Sequence, residues 1–109
     1  MAETFRSDGK AVDVTVTQTI TKGDVVTADG FNGIALQDAV SGETIAIEIA
    51  TREHEINIGG SVTGAKGAVI YITSAGVLTN TSAGNKPFCK VTVAKNANNY
   101  VWAVLLPQS

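Results

Sequence analysis

The sequence predicts an all-β fold, a single compact β-barrel or β-sandwich of eight to nine short strands over residues 11–109, preceded by a polar N-terminal arm over residues 1–10. Three observations carry that prediction. The 109 residues include 13 Val, 9 Ile and 13 Thr, whereas Leu occurs only at 36, 78, 105 and 106. Branched side chains lose χ1 freedom in helices and pack well on a pleated surface. The 11 glycines are spread along the chain, as turns between short strands require. Apolar residues recur at alternate positions, most regularly at Ile45, Ile47 and Ile49, which is the period of a half-buried strand. Size scaling gives one domain that buries about two-thirds of its unfolded surface, enough for one core without disulfides or metal.

The elements follow in order. From Ala11 the chain alternates, with Val12, Val14, Val16 and Ile20 on one face and Asp13, Thr15, Thr17 and Thr19 on the other; Gln18 is the polar exception. Lys22-Gly23-Asp24 turns into a short strand, Val25-Val26-Thr27. Asp29-Gly30 and Asn32-Gly33 read as two turn dipeptides flanking Phe31, because both pairs tolerate positive φ. Ile34-Ala35-Leu36 is the next strand, and Ser41-Gly42-Glu43 the next turn. After Ile45–Ile49 the phase changes: Arg52-Glu53-His54-Glu55 is charged, and Ile56 and Ile58 resume on the other parity. Such a switch predicts a bulge or bend that carries the chain to another part of the sheet. Val69 to Thr73, Val77 to Thr79, Phe88 to Ala94 and Tyr100 to Leu106 complete the strands. Residues 80–86 and 95–99 are loops.

With 8 Lys+Arg against 10 Asp+Glu, the chain lacks the dense basic face that nucleic acids or anionic membranes attract. The expectation is no nucleic acid and no membrane. The first ten residues lack a signal peptide's apolar core, so synthesis in the cytoplasm is expected. Charged residues are 17 % of the chain, below the roughly 25 % usual for soluble domains. Low charge favours association, so an oligomer, or a protein that stays bound to a partner, is expected.

Candidate chemistry is sparse. His54 is the one histidine, so the paired-histidine metal motif is incomplete; it reads as a solvent-facing strand residue between carboxylates. Cys89, the one cysteine, reads as buried and structural. Gly60 to Gly67 resembles a phosphate loop only superficially: Ala65 precedes Lys66, Gly67 replaces the Ser or Thr, and no helix follows. Asn80-Thr81-Ser82 matches a glycosylation acceptor, which has no meaning without export. Glu53 with Glu55 and Asp24 with Asp29 read as charged rims. Tyr100 and Trp102 share a strand face, as a core layer, a subunit interface or a stacking platform. No catalytic residue, metal or cofactor is expected, and the protein is not expected to be an enzyme.

Several segments carry a resemblance. Phe5-Arg6-Ser7-Asp8-Gly9-Lys10 leads into an alternating strand, followed by Gly23-Asp24-Val25-Val26, Gly33-Ile34-Ala35-Leu36 and Ser41-Gly42-Glu43. Lys66-Gly67-Ala68-Val69-Ile70-Tyr71, a Gly76 hairpin with Val77-Leu78-Thr79, and a final aliphatic strand continue it. The chain resembles the small tailed-bacteriophage capsid decoration, or cement, proteins, a family formerly described as a domain of unknown function and sometimes mislabelled recombinase. A β-rich chain of 109 residues without a phosphate loop cannot contain a recombinase ATPase core. Thr51 to Glu55 departs from the family, which tends to a glycine followed by an apolar residue there. The resemblance implies a structural virion protein on the capsid exterior that binds the outside of the mature head and stabilises it. Its partners would be the major capsid protein and other copies of itself, as a homotrimer in preference to a dimer. The alternative is a phage tail or fibre β-domain binding host carbohydrate through Tyr71, Tyr100 and Trp102. In the arm, Phe5 is the one large apolar group beside Arg6 and Lys10. The expectation is that these residues contact the capsid or a neighbouring subunit.

Overall fold

The structure is a computed structural model and describes residues 11–107. Nine strands run through them: β1 (Ala11–Thr15), β2 (Val25–Ala28), β3 (Phe31–Ala35), β4 (Thr44–Glu48), β5 (Glu53–Asn57), β6 (Val69–Ile72), β7 (Leu78–Thr79), β8 (Lys86–Val93) and β9 (Tyr100–Leu105). They form two antiparallel sheets, ordered β1-β4-β3-β2 and β5-β9-β8-β6-β7. The fold is all-β, as the branched composition and alternation predict.

Two strand boundaries differ from the sequence reading. The first alternating segment leaves the sheet after Thr15, and Ile20 makes only an isolated bridge to Ala39. Alternation therefore persists beyond the hydrogen-bonded ladder, because Val16 and Ile20 still bury their side chains. Asn32-Gly33 is not a turn but lies inside β3, opposite Thr27 and Val26. The turn is Asp29-Gly30 alone, with φ of 52° and 84°, the paired positive angles that match hairpin twist. Gly33 is needed for another reason: a Cβ there would collide with the Glu48 carbonyl oxygen and crowd Ile47 and Ile49.

The apolar side chains form two clusters. One, with Val14, Val16, Ile20, Val26, Ala35, Ala39, Ile45 and Ile47, lies within the four-stranded sheet. The other, with Ile56, Ile58, Val62, Ile70, Ile72, Phe88, Cys89, Val91, Val101, Ala103 and Leu105, lines the five-stranded sheet and takes in Ile34 and Val25. Val25 faces Ile34 across the β2–β3 ladder, and their chain neighbours Val26 and Ala35 belong to the first cluster. Successive strand residues point to opposite faces. The β2–β3 ladder is therefore a wall shared by both cores, which explains why β3 ends in three consecutive buried residues.

The four-stranded sheet curls. β1 and β2 are its opposite edges, yet the Thr15 amide donates to Asp29 Oδ2 at 2.9 Å from the β2–β3 turn. The phase change after Ile49 is the crossing between sheets: β4 faces the first core and β5 the second. Loops on the far side are clipped down. Asn80 accepts from the Thr63 amide and donates to its carbonyl, at 2.8 and 3.0 Å. Lys95 Nζ donates to the Val62 carbonyl at 2.7 Å.

Candidate functional site

β9 has a strict inside–outside alternation. Val101, Ala103 and Leu105 are buried, whereas Tyr100 and Trp102 stay 37 % and 42 % exposed. Tyr100 and Trp102 thus share the outer face of the five-stranded sheet, as their spacing predicts, and neither is a core residue. Register fixes their neighbours. Glu53 on β5, Val104 on β9 and Lys90 on β8 form one row, which Val69 on β6 extends. Glu55, Trp102 and Val93 form a second row. Asn57 flanks Tyr100. The face is acidic along β5 and apolar along β9, with a lysine on β8. Tyr71 shares it but stands on β6, separated from β9 by β8.

A bulge tunes this face. Pairing of β8 with β9 shifts between Val91 and Val93, leaving Thr92 as the extra residue. Its hydroxyl donates to Glu53 Oε2, reaching across β9 to fix the carboxylate. Lys90 makes no ion pair among the described residues.

A second constellation lies where the chain crosses between the sheets. Glu48, at the end of β4, is 8 % exposed. Its Oε2 lies 3.6 Å from Arg52 Nε, and its Oε1 lies 2.9 Å from His54 Nε2. The imidazole is not aligned for a hydrogen bond at that distance, so the contact is electrostatic only to the extent that His54 is protonated. This corrects the reading of His54 as solvent-facing. It shares the inward parity of Ile56 on β5, and the buried carboxylate that it faces comes from another sheet, invisible to local pattern.

The remaining candidates sort plainly. Cys89 is buried, and burial pushes its thiol up to about 12 from an ordinary 9.0. At neutral pH it is a protonated, unreactive thiol. Asp24 and Asp29 accept from the backbone amides of Thr21 and Thr15, so both hold turns in place. Gly60 to Gly67 is held by Asn80 and Lys95, and Gly64 packs against Val101 and Ile58 too closely to admit a Cβ. An open groove of about 790 Å³ runs between residues 18–25, the end of β5 and the β6–β7 turn. Among the described residues no group of three or more His, Cys, Asp or Glu could hold a metal ion. No helix among them is long and apolar enough to cross a membrane. Phe5, Arg6 and Lys10 lie outside the described residues.

Two curled β-sheets, one with an outer face that mixes aromatic, aliphatic and charged side chains, define a β-domain built to present surface. A family model described as phage cement protein matches residues 6–106. The chain belongs to that family, whose members are structural proteins of the phage capsid. No curated protein and no solved structure matches the chain.

Proposed function

We propose that this protein binds the outer surface of the mature phage head and stabilises it against internal pressure. The family match over residues 6–106 carries the reading. Low charge supports it, because a protein that works by interface area has few charges to desolvate. Residues 1–10 act as a docking arm beside the β-domain. Phe5 is its anchor, Arg6 pairs with a carboxylate of the partner, and Lys10 adds a further contact. A desolvated Phe contributes roughly 1.5–3 kcal/mol, and repetition over grouped copies, three in a trimer, multiplies the effect.

Co-sedimentation with purified heads tests the reading. Saturable binding to expanded, empty heads and weak binding to the unexpanded precursor is expected; binding to neither overturns it. Deleting residues 2–7 tests the arm. The expected variant keeps its melting temperature and loses head binding, whereas a variant that loses stability in the free state places Phe5 in the core.

The exposure of Tyr100 and Trp102 also suits a carbohydrate-binding tail or fibre domain. A glycan array separates the two readings: a specific hit abolished by Trp102→Ala would favour that alternative.

A further inference from the structure

We infer that the outer face of the five-stranded sheet is a two-fold contact between copies of this chain. Trp102 and Val104 lie on the axis, and Glu53 of each copy pairs with Lys90 of the other. Register carries this. Glu53 and Lys90 flank Val104 in one row, one strand to either side, at a strand spacing of about 4.8 Å. Consider two such sheets packed face to face, with a two-fold axis running along β9 between them. The operation lays β9 over β9 and exchanges β5 with β8. Glu53 then stands over Lys90 of the second copy, and the reverse pair forms by symmetry. In the next row Trp102 meets Trp102, and Glu55 lies over Val93.

Other arrangements of the same face are disfavoured by charge. An axis across the strands through this row would set Glu53 against Glu53 and Lys90 against Lys90. Edge-to-edge pairing through β5 would bring Glu53 and Glu55 of both copies together along one ladder, and like charges at paired positions oppose it. The face-to-face operation along β9 is the one that matches opposite charges and buries the aromatic. Both charged groups retain capacity for a partner. Among the described residues Lys90 has no ion pair, and Glu53 holds the Thr92 hydroxyl alone, through one of its two oxygens. Isologous contacts of this kind are self-complementary by construction. This contact is independent of the head-binding reading, and a three-fold grouping through another surface is compatible with it, since the pair would then join neighbouring trimers.

The test uses the purified full chain without capsids. Sedimentation velocity over a concentration series is expected to show a doubled species, monomer to dimer or trimer to hexamer. Trp102 is the only tryptophan, so its emission is expected to shift to the blue along the same concentration curve. Glu53→Lys and Lys90→Glu should each weaken the doubling by about tenfold or more. The double reversal should restore it to within about threefold of the wild type, and the melting temperature of each single variant, expected near that of the wild type, shows that it folds. Doubling that ignores both single reversals, or is not rescued by the double one, overturns the inference. So does a single mass at every concentration in wild type and variants alike.

Discussion

A carboxylate as buried as Glu48 has to be compensated, and Arg52 compensates it from the segment that leaves β4. Removing one partner of a buried charge cluster leaves the others unpaired. Because Arg52 is half exposed, its share is screened. Glu48→Ala is therefore expected to cost about 2 kcal/mol, and Arg52→Ala less than about 1 kcal/mol, both read from denaturant melts. Cys89 gives a pH signature. Below about 9 the thiol is protonated in the folded and unfolded chains alike, so it adds no pH dependence there. Above that the unfolded chain releases the proton, while the folded chain keeps it until about 12. Stability should fall through this window with a slope of up to about 1.4 kcal/mol per pH unit from this group. Cys89→Val should show a shallower fall over the same range; equal slopes would contradict the assignment. Cys89 was legible as buried from its apolar strand. His54 was not legible, because the charges beside it in sequence point outward and the carboxylate it meets arrives from β4.

β1 and the β2–β3 hairpin share an apolar cluster, and one side chain adds a hydrogen bond between them. Asp29 adopts a positive φ and accepts from the Thr15 amide, joining the two edges of the curled sheet. Asp29→Ala loses the bond and strains the turn, with an expected cost of about 1–2 kcal/mol in thermal melts. Asp29→Asn keeps an acceptor and tolerates that φ, so it should fall within about 0.5 kcal/mol of wild type. Gly33 tests the shared wall. Gly33→Ala would force β3 from the β4 backbone and is expected to cost more than about 2 kcal/mol; a neutral effect would contradict the close approach. Strand parity made Ile45–Ile47, Val69–Ile72 and Tyr100–Leu105 legible from sequence alone. Asn32-Gly33 misled because its two residues suit a turn, yet the glycine serves strand proximity. That requirement depends on β4, which local sequence does not contain. The phase change after Ile49 did announce a bend, though not that it crosses between sheets.

For the whole molecule, the chain belongs to a structural family of the phage capsid, and its β-domain offers one outer face with a defined charge layout. That layout was only half legible. Tyr100 and Trp102 announced a shared face by spacing, but the row of Glu53, Val104 and Lys90 required the strand order, which returns β9 between β5 and β8. The proposed role is that binding stabilises the head. The most direct measurement is the temperature at which DNA-filled heads stripped of this protein release their DNA, with and without saturating purified protein. Added protein is expected to raise the release temperature in proportion to occupancy, and the variant lacking residues 2–7 is expected not to. An unchanged release temperature at full occupancy would contradict it.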